Sequence, residues 1–164
     1  MIETKQATAL YVTTALKSWE TWLGRAGKLF GSLSNEEMLV EIAPGKNRPV
    51  YLLGHLTAVH DGMIPQLRLG EASYPQFREL FIDNRDRAVE IPATSDLRQA
   101  WNEVGQTLSR LLQSLSPEEW LERHATVSEE DFLLQPDRNR LAILLSRTGH
   151  LSYHLGQLML RAKA

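Results

Sequence analysis

Apolar side chains recur every three or four residues along four long stretches of this chain, and that spacing is the periodicity of an α-helix. The stretches cover residues 5–33, 48–69, 96–115 and 138–162. Each predicts an amphipathic helix whose apolar stripe packs against other helices. No stretch shows the sustained alternation of a half-buried strand. We therefore expect an all-α fold, and four such stripes around one core predict a four-helix bundle.

Short polar motifs predict where helices begin. Ser34 and Ser116 are each followed three residues later by a glutamate, which is the capping-box pattern and predicts a short helical turn after each serine. Asn47, Ser95 and Asp137 stand just before the second, third and fourth long stretches. These three residue types are good helix caps, so we expect them as the N-caps.

The two halves of the chain resemble each other. Each consists of a long helix, a short capped turn, a loop and a helix that carries a Gly-His-Leu phrase. Two such helical hairpins would pack with approximate two-fold symmetry. The length of 164 residues fits one domain spanning residues 1–164. Within the connections, residues 74–85 have room for a short helix, whereas residues 122–135 are expected to be irregular.

The composition excludes several classes of protein. The absence of cysteine excludes disulfides, thiolate metal sites and a cysteine nucleophile. A formal net charge of −2 does not favour a general binder of nucleic acid. No apolar run is long enough to span a bilayer, and the N-terminus lacks the pattern of a secretory signal. We expect a cytoplasmic protein that binds neither nucleic acid nor membranes.

Three of the five histidines are placed to share a metal ion. His150 and His154 lie four residues apart on the fourth predicted helix, which puts both imidazoles on one side, one turn apart. His55 lies on the second, and all three stand at the edge of an apolar stripe when residues are spaced about 100° apart. If they converge, three imidazoles leave a coordination position open, as in catalytic metal sites. If they do not, the protein is a metal-free bundle whose histidines only satisfy local hydrogen bonds.

The sequence also predicts the roles or positions of four further residues. Gln157 and Tyr153 are candidates to support the metal ligands or to contact a substrate, although a solvated glutamine and a packing tyrosine also fit the pattern. His60 lies about 140° around the helix from His55, within the apolar arc, and is expected to be a partly buried structural histidine. His124 falls in an irregular connection and is expected at the surface.

The remaining charged residues point to no second site. Arg138, Arg140 and Arg147 could form a small basic patch at the head of the fourth helix, but charges on its solvated face are the simpler interpretation. Asp61 lies about 240° around from His55, so we do not expect it as a ligand. The histidine spacing is not His-Glu-x-x-His, which excludes a zincin protease, and no phosphate-binding glycine loop is present.

The motifs described above resemble those of the DinB/YfiT-like superfamily. The resemblance rests on the Leu-Ser-x-Glu-Glu turn at 33–37, the Leu-Leu-Gly-His-Leu phrase at 52–56 and the Gly-His-Leu-x-x-His-x-Gly-Gln phrase at 149–157. It implies an up-down-down-up four-helix bundle that is often dimeric. It also implies a divalent metal, typically nickel, zinc or iron, held by one histidine of the second helix and two of the fourth, which here are His55, His150 and His154.

The same resemblance implies a class of activity. Characterised members use low-molecular-weight thiols such as mycothiol and bacillithiol, as transferases or as a maleylpyruvate isomerase. We therefore expect a metal-dependent enzyme on a small-molecule substrate, either a thiol-dependent S-transferase or a hydrolase. Because the chain has no cysteine, the thiol would be a cosubstrate. The alternative is a non-enzymatic protein that binds a metal or small ligand in a stress or damage response. For the expected homodimer, the first helix with Trp19 and Trp22 is the candidate partner face.

Overall fold

Six α-helices make up most of the computed structural model, which describes residues 2–161 and the side chains of residues 5–161. In chain order they are α1 (Ile2–Ser32), α2 (Asn35–Leu39), α3 (Pro49–Gln66), α4 (Thr94–Gln113), α5 (Glu129–Leu134) and α6 (Arg140–Met159). Residues 2–161 contain no strand, only an isolated bridge between Arg123 and Asn139. The expected all-α class is confirmed. None of the helices in this part of the chain combines the length and the apolar character needed to cross a bilayer.

The four long predicted helices correspond to α1, α3, α4 and α6. The predicted last residue of the fourth, Ala162, lies outside the described residues. Both capping boxes are present: Ser34 and Ser116 each accept from the backbone N–H three residues later, and Glu37 and Glu119 accept from the serine N–H groups. The first box begins α2, and the second begins a turn that ends in a 3-10 helix, Glu119–Leu121.

The N-caps predicted for three of the long helices are wrong by one or two residues. The observed N-caps are Arg48 before α3, Ala93 before α4 and Asn139 before α6, in place of Asn47, Ser95 and Asp137. At α3, proline at the first helical position keeps the preceding residue extended, so Arg48 becomes the cap. At α6, the Asn139 Oδ1 accepts a hydrogen bond from the Ala142 N–H at 3.0 Å.

Two connections contain helical structure. A π-helical turn, Glu79–Asp83, falls within the stretch where a short helix was expected. The stretch 122–135, expected to be irregular, contains α5. Ser128 caps α5 by accepting from the Asp131 N–H at 3.0 Å, and three acidic residues fill its first turn. Ser128 followed by acidic residues is a helix-start signal that is visible in the sequence.

The long helices pack so that α3 and α6 are neighbours. α3 packs mainly on α4 and α1 mainly on α6, while α1 also touches α4 and α3 also touches α6. The four helices thus enclose one core, whose fully buried side chains include Trp19, Phe30, Leu53, Leu108 and Leu158. Because α3 carries one of the three candidate ligands and α6 the other two, this contact decides whether they can meet.

The connection between α3 and α4 is tied to the start of α3 by a partly buried ion pair. The Arg48 Nη2 lies 2.6 Å from the Asp86 Oδ1, and the Arg48 backbone N–H donates to the other carboxylate oxygen at 2.9 Å. Burial raises the pKa of the Asp86 carboxyl, but the hydrogen bonds from Arg48 outweigh burial and hold that pKa below its usual value. The connection is therefore pinned close to α3 where it forms the π-helical turn.

Candidate metal centre

Three imidazole rings from α3 and α6 meet at one point. The Nε2 atom of His150 lies 3.2 Å from that of His55 and 3.1 Å from that of His154. The candidate ligand atoms of the three residues all lie within 4.8 Å of one another, and the three side chains are half-buried. Nitrogen atoms bound to one tetrahedral zinc at about 2.1 Å are themselves about 3.4 Å apart. The spacing of the three rings therefore matches that of ligands around one ion.

A backbone carbonyl orients the first ring. The His55 Nδ1 lies 2.8 Å from the Phe81 carbonyl oxygen, which can only accept, so Nδ1 carries a proton, and in the neutral ring the lone pair is then on Nε2. Phe81 belongs to the π-helical turn, whose hydrogen-bond pattern differs from that of an α-helix. The Tyr51 hydroxyl lies 3.1 Å from the same oxygen and 2.7 Å from the Asn84 carbonyl oxygen, which ties the turn to α3.

Gly54 lets this turn approach α3. A Cβ atom built on Gly54 would lie 2.3 Å from the nearest carbon of the Phe81 ring, well inside any real contact distance. The Phe81 ring is fully buried and cannot simply move aside into solvent. The residue before His55 is therefore glycine for a steric reason, because only then can the Phe81 carbonyl reach the His55 ring. The Gly-His phrase thus encodes both the ligand and the space for its support.

Gln157 orients the third ring. Its Oε1 lies 2.8 Å from the His154 Nδ1, one turn further along α6, so Nδ1–H donates and the His154 Nε2 also keeps its lone pair. The sequence made Gln157 a candidate to support a metal ligand, and this hydrogen bond is of the kind that would do so. Tyr153 is mostly exposed and touches the His154 ring edge-on, with the ring centroids 5.1 Å apart. Burial lowers the pKa of His154, the Gln157 contact opposes that effect, and the charge of His55 lowers the pKa further.

The middle ring has no such support. The Nδ1 of His150 is buried and has no hydrogen-bond partner among residues 5–161. Burial, followed by the charges of His154, His55 and Arg147, lowers the pKa of His150 to about 4. At neutral pH the ring is therefore uncharged, which is the form that binds metals.

The donor set fits a divalent transition metal. The Nδ1 protons of His55 and His154 are used in hydrogen bonds to Phe81 and Gln157. In the neutral rings, the Nε2 lone pairs of His55 and His154 therefore both face the His150 Nε2 at hydrogen-bond distance. A single proton on His150 could satisfy only one of them at a time, whereas a cation between the rings would satisfy all three. Neutral imidazole suits zinc, nickel, copper and iron. Local hydrogen bonding alone therefore does not account for the cluster.

His60 is buried more completely than expected and lies outside this cluster. Its ring packs between those of Trp19 and Trp101, with centroids 4.7 and 5.2 Å away, and neither ring nitrogen has a hydrogen-bond partner among residues 5–161. Burial, followed by the charges of His150, Arg147 and His55, lowers its pKa to about 3. His60 is a neutral structural histidine of the core.

Removing metal should expose a dependence of stability on acid. The unfolded chain protonates histidine near pH 6.5, whereas the folded chain resists until about pH 4 at His150 and about pH 3 at His60. As pH falls through this window, buried His60 lowers the free energy of unfolding by up to about 1.4 kcal/mol per pH unit, and partly exposed His150 lowers it by less because solvent screens its charge. We expect His60→Leu, which keeps an apolar side chain, to flatten this loss in urea unfolding of EDTA-treated protein. Equal slopes for the variant and the wild type would contradict it.

Two expectations about charged and polar residues are wrong. His124 is buried rather than on the surface, because the Ala125 N–H donates to the Gln66 carbonyl at 2.8 Å and holds this connection against the end of α3. Arg140 is buried rather than solvated: it donates to the Glu119 carbonyl and pairs with Glu122, both at 3.2 Å. Both errors arise where a connection folds back over a helix end.

The other predicted residues are placed as follows. Asp61 is buried and accepts from the Ser73 and Tyr74 backbone N–H groups at 2.9 and 2.7 Å, so its carboxylate is used in holding a loop. Arg147, one turn before His150, has a buried Nε without a hydrogen-bond partner among residues 5–161. Arg138 is only partly exposed.

Comparison with known protein families identifies the family of this chain. The family model of the DinB superfamily matches residues 19–158, a span that includes all three clustered histidines, the whole of α3 and all but the last residue of α6. No curated protein matches the sequence.

Proposed function

The chain belongs to the DinB superfamily, and from that premise we propose that it is a metal-dependent enzyme acting on a small-molecule substrate. One observation carries the proposal: the Nε2 atoms of His55, His150 and His154 face one another, and both outer rings are held in the tautomer that directs a lone pair inward. A structural zinc site usually has four protein ligands, whereas three ligands leave room for a reacting molecule.

The protein's own groups hold and orient this centre. The Phe81 carbonyl and the Gln157 amide fix the outer rings, and burial keeps His150 and His154 neutral at physiological pH. A divalent ion bound there would supply Lewis-acid chemistry, lowering the pKa of a water molecule or of a thiol. The identity of that ion, nickel, zinc or iron, belongs to the proposal, since imidazole accepts each of them.

For the reaction, we favour S-transfer from a low-molecular-weight thiol over hydrolysis, on the basis of the family resemblance. The thiol sulfur would form a bond to an electrophilic carbon while that carbon's bond to its leaving group breaks, and the thiol proton would pass to solvent or to the leaving group. In hydrolysis, water takes the place of the thiol. The chain has no cysteine of its own, so the sulfur must come from a cosubstrate.

We also propose the up-down-down-up arrangement of α1, α3, α4 and α6. The connection between α3 and α4 runs from residue 67 to residue 93. It is long enough to return along the roughly 27 Å of α3 and to start α4 at the same end. The helices that pack most extensively on each other are α3 with α4 and α1 with α6. In this arrangement the two helices of each pair would run parallel.

A homodimer is part of the proposal as well. Trp19 is fully buried within the core and cannot form the partner face, whereas Trp22 is partly exposed on α1 and lies beneath the Arg25 guanidinium at 4.8 Å. Light scattering gives the molar mass in solution. The mass of a monomer at micromolar concentration would contradict the dimer without bearing on the metal centre.

Metal analysis and turnover together test the function. Protein purified without a nickel resin is expected to contain about one equivalent of nickel, zinc or iron per chain. The metal-loaded protein is then assayed against a panel of small electrophiles, with several low-molecular-weight thiols and with water alone. Thiol-dependent consumption that stops on chelation supports the transferase. Metal-loaded protein that is inert with every pair but retains a small ligand would instead favour the binding protein. Absence of metal after reconstitution with each ion would overturn the proposal.

A further inference from the structure

A cavity adjoins Gln157, the residue whose side-chain oxygen contacts the His154 ring. Its volume is about 300 Å³, and it is formed between the loop that precedes α3 and the last turn of α6. Apolar atoms form most of its wall, and its polar side-chain groups come from three residues. The apolar members are Ile42, Ala43 and Leu160, and the polar ones are Lys46, Asn47 and Gln157. A concave, mainly apolar wall with a few polar groups is the usual form of a small-molecule site.

Lys46 is the one charged residue in the described wall of this cavity. It has no carboxylate within ion-pair distance among residues 5–161. Glu37 and Glu41, on the same side of the molecule, are already paired with Arg161 at 3.1 Å and with Arg87 at 2.6 Å. The uncompensated charge at the cavity is therefore positive.

Gln157 offers a second donor and links the cavity to the metal centre. Its oxygen is committed to the His154 Nδ1–H, and its amide nitrogen has no hydrogen-bond partner among residues 5–161. The Asn47 side-chain amide likewise makes no hydrogen bond there. Two amide N–H₂ groups and one ammonium group thus line the same space, and all three donate to oxygen.

The loop wall is held in one shape. Gly45 has φ +74°, a conformation that suits glycine, and its N–H donates to the Glu41 carboxylate at 3.0 Å. The Lys46 N–H donates to the Ala43 carbonyl at 2.9 Å, and the ion pair between Arg48 and Asp86 anchors the end of the loop. A preformed loop loses little conformational entropy when a ligand binds.

We propose that this cavity binds the carboxylate end of a small organic acid with an apolar chain, and that this acid is the substrate or cosubstrate of the metal centre. The carboxylate pairs with Lys46 and accepts from the amides of Asn47 and Gln157, while the chain lies on the apolar wall. The assignment of this acid as a reactant rests on the proposed function. Because the nearby C-terminal end of α6 carries partial negative charge, Lys46 is what makes the cavity favourable to an anion.

Hexanoate and its neutral analogue hexanamide test this assignment in EDTA-treated full-length protein, where no metal can bind the carboxylate. We expect saturable shifts of the Gly45 and Asn47 amide signals with hexanoate. Lys46→Met should weaken hexanoate binding by about fivefold or more and leave hexanamide unaffected. Lys28→Met, at an exposed lysine of α1, is the matched control and should change neither. Absence of saturable shifts, or equal effects of the two lysine variants, would overturn the proposal.

Measuring zinc uptake by the same protein distinguishes failure of the carboxylate site from failure of the proposed metal-dependent function. If the protein takes up zinc but shows no Lys46-dependent hexanoate binding, the metal centre stands and the carboxylate site is refuted. Protein that binds hexanoate through Lys46 but takes up no zinc, nickel or iron supports the carboxylate site and refutes the metal-dependent enzyme.

Discussion

Replacing His154 by alanine is expected to abolish stoichiometric metal binding. The substitution removes one of three converging nitrogens and leaves the Gln157 oxygen without its donor. Loss of a group that merely supports a ligand costs about 10- to 100-fold in metal affinity, so loss of a ligand should cost more than about 100-fold. Metal content by elemental analysis, followed by zinc titration of the apo protein, measures this directly. His150→Ala should behave in the same way.

His124→Gln provides the matched control, because His124 is a histidine shielded from solvent at least as well as His154 but lies outside the cluster. It should retain the full metal content. A second readout is thermal stability: a ligand present at about 100 times its Kd stabilises the folded state by about 2.7 kcal/mol. Zinc should raise the melting temperature of the wild type and of His124→Gln but not of His154→Ala. If His154→Ala retained one tightly bound ion, the three-histidine centre would be refuted.

Gly54→Ala is expected to impair folding stability and metal affinity together. The new methyl group would overlap the Phe81 ring, whose nearest carbon lies 2.3 Å from the added atom. Overpacking of this kind costs about 1–3 kcal/mol. Because the ring and the carbonyl that orients His55 belong to the same residue, displacement of Phe81 should also lower zinc affinity by about tenfold. Urea unfolding of the apo protein and zinc titration measure the two effects separately.

Gly62→Ala is the matched control on the same helix. Gly62 is exposed, and nothing lies within 4 Å of an added Cβ. Alanine there should stabilise α3 by up to about 1 kcal/mol and leave zinc affinity unchanged. The two glycine variants are thus expected to change stability in opposite directions. Wild-type zinc affinity in a folded Gly54→Ala protein would show that the Phe81 carbonyl does not position His55.

Periodicity predicts the long helices because burial of an apolar stripe is repeated over many residues, so errors at single positions cancel. Helix starts depend on single residues, and there the prediction is less accurate. Pro49 moves the start of α3 past Asn47, and Asn139 competes with Asp137 for the same cap. Ser128 shows that a clear cap signal can also be overlooked when the helix that follows is short.

The candidate ligands are predictable because each stands at the edge of an apolar stripe, and edges of neighbouring stripes face each other. Their supports are predictable only in part. Gln157 lies one turn from His154 and is local, so spacing identifies it. The Phe81 carbonyl comes from a connection 26 residues after His55, and a backbone oxygen leaves no residue type to recognise. The buried positions of His124 and Arg140 likewise depend on long-range contacts of the connections.

The segment from Phe81 to Arg87 makes contacts that position two different parts of the molecule. It steadies the His55 ring at one end and anchors both sides of the 41–48 loop, through Asp86 and Arg87, at the other. Long connections in helical proteins ordinarily absorb insertions and deletions with little penalty. Here a single residue inserted between Phe81 and Asp86 would displace the Phe81 carbonyl from the His55 ring, or Asp86 from Arg48, or both. Although the connection between α3 and α4 is long, we therefore expect insertions or deletions within residues 81–87 to be poorly tolerated.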